Sequence, residues 1–63
     1  MFTVQIDTHT EAFRGEYNAP YVEIARILLL LARHLESAGA EQQEHIGVLL
    51  DHNGTRVGKW EFH

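Results

Sequence analysis

Five histidines in 63 residues are the first side chains to weigh for chemistry. Imidazole ligates metals and moves protons near neutral pH. A metal site on a helix needs two such groups one turn apart. His9, His34, His45, His52 and His63 are spread along the chain and no two have that spacing. His9 and Glu11 form one local His-x-Glu pair, too common a triplet to specify a metal site by itself. Asp51-His52-Asn53-Gly54 begins like a calcium loop, but such a loop needs a Glu at its twelfth position, and counting from Asp51 that position is Phe62. Turn formation explains Asp51 and Asn53 better, because short polar side chains bond the backbone just ahead of them. Arg56, Lys59 and Trp60 combine charge with an aromatic plane, the ingredients of single-strand binding. In a strand, however, Lys59 and Trp60 point to opposite faces, so the indole is expected in the core. There is no glycine-rich phosphate loop, nucleophile elbow or Ser/His/Asp arrangement. A non-enzyme without metal or cofactor is therefore expected. A ligand site at the 8–18 connection, lined by His9, Glu11 and Tyr17, stands as an alternative.

Length and charge narrow the choice further. A chain of 63 residues is one small α+β domain at most, covering 1–63, and buries a modest share of its surface. It has no cysteine, so neither disulfides nor thiolate metal sites staple it. Tight packing or self-association has to supply the missing stability. The formal net charge is −4, from five basic and nine acidic residues. The basic residues are dispersed, which argues against a nucleic-acid backbone as partner. A nucleic-acid-binding or regulatory module is kept only as an alternative. The N-terminus lacks a basic region followed by an apolar run, so no signal peptide is expected and a cytoplasmic location is.

The elements that must position these residues begin with Asn18 to Gly39, where the spacing predicts a helix. Asn18 is placed as N-cap, Pro20 falls in the first turn, and Gly39 is placed to end the helix. At about 100° per residue, Tyr21, Ile24, Leu28, Leu31, Ala32 and Leu35 form one stripe, the expected core face. Glu23, Arg26, Arg33 and Ser37 lie opposite. Leu30 falls among them, and Ile27 and Leu29 fall at the margins. Arg26, Arg33 and Glu36 interrupt the segment well short of the roughly 20 apolar residues a membrane span needs. No membrane partner is expected.

Strands surround the helix. Met1 to Asp7 alternates, with Phe2, Val4 and Ile6 on one side. Thr8 to Tyr17 is a long connection in which Gly15 marks a bend and Phe13 plugs the end of the core. Ala40 to Glu44 is a polar connection. His45 to Asp51 and Thr55 to Phe62 form a hairpin around Asn53-Gly54. A two-residue Asn-Gly turn sets Leu50 opposite Val57 and sends Trp60 away from Ile46, Val48 and Leu50. A three-residue loop, His52-Asn53-Gly54, with Gly54 left-handed, shifts the pairing by one. Ile46, Val48, Leu50, Gly58, Trp60 and Phe62 then share the core face, which favours this register. Gly58 would let the helix approach the sheet, and Leu49 and Val57 would form a small apolar patch on the open face. The order β-α-β-β predicts an α+β fold: a three-stranded antiparallel sheet, strand order 1-3-2, one helix on one face. Order 1-2-3 is the alternative.

Laid out in this way, the chain resembles a group of small uncharacterised proteins encoded by bacteriophages and prophages. The likeness runs through Ala12-Phe13, the helix segments Ala25 to Leu28 and Leu31 to Glu36, and the hairpin from Asp51 to Phe62. These proteins carry charges where this chain has Leu29 and Leu30. The resemblance implies an accessory product and brings no functional residues with it.

The surplus of apolar residues suggests how such a protein acts. Ile27, Leu29 and Leu30 on the helix, with Leu49 and Val57 on the open sheet face, are the expected association surface. The partners expected are further copies of the chain, in a homo-oligomer, and a host protein.

Overall fold

The computed structural model of the chain describes residues 1–15, 19–38 and 45–63. Strand β1 spans Phe2–Ile6, helix α1 Ala19–Ala38, β2 Ile46–Leu50 and β3 Arg56–Phe62; a short 3-10 turn at Glu11–Phe13 lies between β1 and α1. The strands form one antiparallel sheet in the order β1-β3-β2. With α1 on one face, this is the expected α+β layout. The expected caps at Asn18 and Gly39 lie outside the described residues.

The central strand divides its hydrogen bonds by parity. The His63 and Asp7 amides bond to the Met1 and Val57 carbonyls, so odd-numbered residues of β3 pair with β1. The Phe62 amide bonds to the His45 carbonyl, so even-numbered residues of β3 face β2. Antiparallel ladders alternate in this way, each strand sending successive backbone groups left and right.

The hairpin turn is the three-residue loop. Gly54 has φ +83°, its amide bonds to the Asp51 carbonyl at 2.9 Å, and the Asp51 amide bonds to the Thr55 carbonyl at 2.9 Å. Leu50 faces Arg56 as that loop requires. A second irregularity then intervenes. Between Leu49 and Leu50 the register slips, Leu49 faces Gly58, and Val57 is left without a partner on β2 as a β-bulge. Beyond it Gly47 faces Trp60, Val48 faces Lys59 and Ile46 faces Glu61. The bulge cancels the shift made by the turn, so β2 is inverted relative to expectation. Gly47 and Leu49 share the inner face with Trp60 and Gly58, and Ile46, Val48 and Leu50 point outward. Leu49 and Val57 are buried core residues, not an open patch. On β1 and β3 the inner face is the expected one: Phe2 faces Phe62, Val4 faces Trp60 and Ile6 faces Gly58.

The helix is rolled about its axis relative to the expected stripe. Ile27 and Leu31 are buried, Ile24 is half-buried, Tyr21 is 76% exposed, and Leu28, Ala32 and Leu35 are exposed. The reason is Glu23, only 5% exposed and drawn onto the hairpin. Its carboxylate takes two bonds from the Arg26 guanidinium, at 2.9 and 2.7 Å, and one from the His52 amide at 2.9 Å. A carboxylate satisfied in this way can be buried. Helical spacing then brings Ile27, four residues on, to the sheet side. Ile27 is therefore core and unavailable to a partner.

Ala12, Phe13, Ile27, Leu31, Leu49, Val57 and Trp60 form the core, with Val4, Ile6 and Ile24 packed against it. Phe13 is 2% exposed and seats the connection, as expected. Two glycines make room. A Cβ on Gly47 would overlap the Trp60 indole Nε1 and lie 2.6 Å from Cε2. A Cβ on Gly58 would overlap the Gln5 carbonyl oxygen and lie 2.9 Å from its carbon. Gly58 thus serves a close approach of β3 to β1, not of the helix to the sheet.

Candidate association surface

Three apolar side chains, Ile46, Val48 and Leu50, stand in a row on the open face, each about half exposed. They alternate along β2 because every second residue points the same way. Beside them on β3 are Lys59 and Glu61, joined by a 2.6 Å ion pair. Beside Lys59 and Glu61, on β1, are Gln5 and Thr3. The open face is therefore apolar at the β2 edge and polar towards β1.

On the other side of the same edge runs a groove of about 300 Å³ between α1 and β2. Ile27, Leu30, Leu31 and His34 line it from the helix, and the stretch Gly47–Leu50 of β2 from the strand. Trp60 floors it, with Phe2 and His34 rings at 6.0 and 6.2 Å. Leu30 is 52% exposed at its rim, and Leu29 is 65% exposed. Arg26, one turn before Leu30, reaches the Leu50 carbonyl at 3.5 Å.

Of the five residues expected at an association surface, Leu29 and Leu30 are exposed, while Ile27, Leu49 and Val57 are buried. Ile46, Val48 and Leu50 replace the last two. Sequence reasoning put them inside because their apolar alternation matched the inner face of β3. No protein-family model matches the chain, and no curated protein or solved structure matches it.

The 8–18 connection also borders a cavity, of about 480 Å³, lined by Ala12, Arg14, Gly15, Ala19, Val22, Glu23 and His52. His9 and Glu11 are not part of it. His9 is exposed and turned back to Asp7, at 2.9 Å. Tyr17 lies outside the described residues. Of its polar groups the Glu23 carboxylate is already engaged, by Arg26 and the His52 amide. Among the described residues no three His, Asp or Glu side chains converge as metal ligands would. No helix among them is long and apolar enough to cross a membrane.

The junction of helix and hairpin is held by two buried carboxylates. Asp51, 4% exposed, accepts from the Asn53 and Thr55 amides at 2.9 Å and from the Thr10 hydroxyl at 2.8 Å. Burial pushes its carboxyl up, but the Thr55 amide, the Thr10 hydroxyl and the Asn53 amide outweigh this and hold it below its ordinary value. The Arg26 guanidinium holds Glu23 low against the opposing effect of burial, helped by the His52 amide. Lys59 and then His63 do the same for Glu61. Carboxyls lowered on folding add stability that is fully present above the unfolded-state range, near 4, and is lost as pH falls through the folded values. Their contribution is therefore expected to be complete down to about pH 5 and stability to fall steeply below about pH 4. Urea melts followed by Trp60 emission at stepped pH check this. A midpoint unchanged down to pH 3 would contradict it.

Proposed function

We propose that this chain is a small non-enzymatic accessory protein of phage type that acts in the cytoplasm by binding protein, beginning with copies of itself. The observation that carries this reading is the apolar strip Ile46, Val48 and Leu50 at the β2 edge, with Leu30 across the groove. Contiguous exposed apolar surface on so small a domain marks an interaction site. Self-association also suits a chain with no disulfide and a modest core, because binding between folded copies adds stability by mass action. A host protein is a second partner for the same surface.

Sedimentation of the wild-type chain across the micromolar range is the test, with Leu30→Asp beside it. Full burial of a leucine is worth about 1.5–3 kcal/mol, and Leu30 is already half covered, so each copy gains about half of that. A symmetric dimer counts the gain twice. Leu30→Asp is expected to weaken association at least about tenfold, since about 1.4 kcal/mol corresponds to a factor of ten. A wild type that stays monomeric throughout overturns the reading.

A further inference from the structure

We infer that two copies of the chain pair edge to edge through β2, antiparallel about a two-fold axis at Val48, to make one continuous six-stranded sheet. This rests on the self-association proposed above and specifies its geometry and its occupant.

The parity of the ladder supplies the first reason. Even-numbered residues of β3 bond to odd-numbered residues of β2, as the Phe62 amide does to the His45 carbonyl. The N–H and C=O groups of Ile46 and Val48 therefore point away from β3. Among the described residues no strand lies on that side. Such a row of unused backbone groups is a template for another strand.

The second reason is that β2 itself carries none of the usual guards. Exposed edges are normally blunted by a charge, a proline or a bulge on the edge strand. Ile46–Leu50 reads IGVLL, with no charge and no proline, and the bulged residue, Val57, lies on the central strand. The other edge, β1, differs. Its open-face side chains are Thr3 and Gln5, which offer no apolar contact to a neighbour.

The third reason selects a second copy over a foreign strand. Turned about Val48, the strand matches itself: Ile46 meets Leu50 of the other copy, Val48 meets Val48, and Leu50 meets Ile46. The two apolar strips merge into one band on the open face. Ile46–Leu50 carries no charged residue, so no like charges oppose each other along the strip. Elsewhere a chain of net charge −4 repels its copy; here the contact strip is neutral. On the helix side the seam runs along the groove edge, where Leu30 of each copy borders it. Arg26 already holds the Leu50 carbonyl from that side.

The direct test is Val48→Pro. The Val48 amide points to the free edge, so proline removes no bond from the monomer's own ladder but blocks the pairing. The variant is expected to fold and to sediment as a monomer at concentrations where the wild type is a dimer. Amide exchange of the wild type provides a second readout, with Ile46 and Val48 amides protected in the dimer and losing protection on dilution. A monomeric wild type overturns both this inference and the function it rests on. A wild-type dimer whose Ile46 and Val48 amides exchange freely at all concentrations overturns the edge pairing alone. So does a folded Val48→Pro variant that still dimerises. If Val48→Pro does not fold, the exchange result decides.

Discussion

Gly58→Ala is expected to melt at least about 12 °C below the wild-type chain. The added methyl overlaps the Gln5 carbonyl oxygen and lies 2.9 Å from the carbonyl carbon. These are backbone atoms of a paired strand, so they cannot turn aside as a side chain would. Relief has to come from parting β1 and β3 at Ile6 and Gly58, next to the bulge at Val57. Overpacking costs about 1–3 kcal/mol and more where backbone must shift. A chain of 63 residues has roughly 3–9 kcal/mol in all, and each kilocalorie moves the midpoint of a domain this size by about 4–8 °C. Gly47→Ala makes the matched control. Its methyl meets the Trp60 ring, a side chain that can swing, so the loss should be smaller and accompanied by a change in Trp60 emission. Thermal melts followed by circular dichroism compare the two. A Gly58→Ala midpoint within about 5 °C of wild type would show that β1 and β3 do not approach so closely.

Phe13→Ala is expected to cost about 3–5 kcal/mol, enough to unfold much of the population at room temperature. The ring sits in a 3-10 turn of the connection, yet it is 2% exposed and belongs to the one core cluster. It fills the space where that turn meets α1. Emptying it leaves a void that a chain of this size has few side chains to fill. Glu11→Ala, in the same turn but exposed, should stay within about 0.5 kcal/mol of wild type. Denaturant titration separates the two cases. If Phe13→Ala behaved like Glu11→Ala, the connection would be a passive linker and not part of the core.

Much of this fold was legible from local signals. Alternation placed β1 and the inner face of β3, Asn53-Gly54 placed the turn, and element order placed β3 in the centre. Two features were not legible, and both have a physical cause. The bulge at Val57 leaves no mark in composition, since Val57 suits a regular strand equally well. Without it, three apolar residues of β2 seem to belong inside, and the strand is assigned the wrong face. The roll of α1 depends on Glu23, a charge that helical periodicity places in water. Its burial needs Arg26 one turn on and a free amide at His52, and that amide comes from a distant part of the chain. The candidate association surface suffered from both errors. The exposure of Leu30 was legible because it interrupts a polar face, and that of Leu29 because it lies at the margin, whereas Ile46, Val48 and Leu50 were hidden by their resemblance to a core strand.

The bulged residue of β3 acts as a phase marker for the whole hairpin. Every residue of β2 has its inside or outside identity assigned from a position it does not contain. If Val57 were instead drawn into the ladder opposite Leu49, IGVLL would keep its sequence and exchange its two faces, turning Gly47 and Leu49 outward and Ile46, Val48 and Leu50 inward. A protein built in this way changes the surface it offers by counting rather than by substitution. A one-residue slip of β2 along β3 is therefore a shorter route to a new surface than any series of point mutations along the strand.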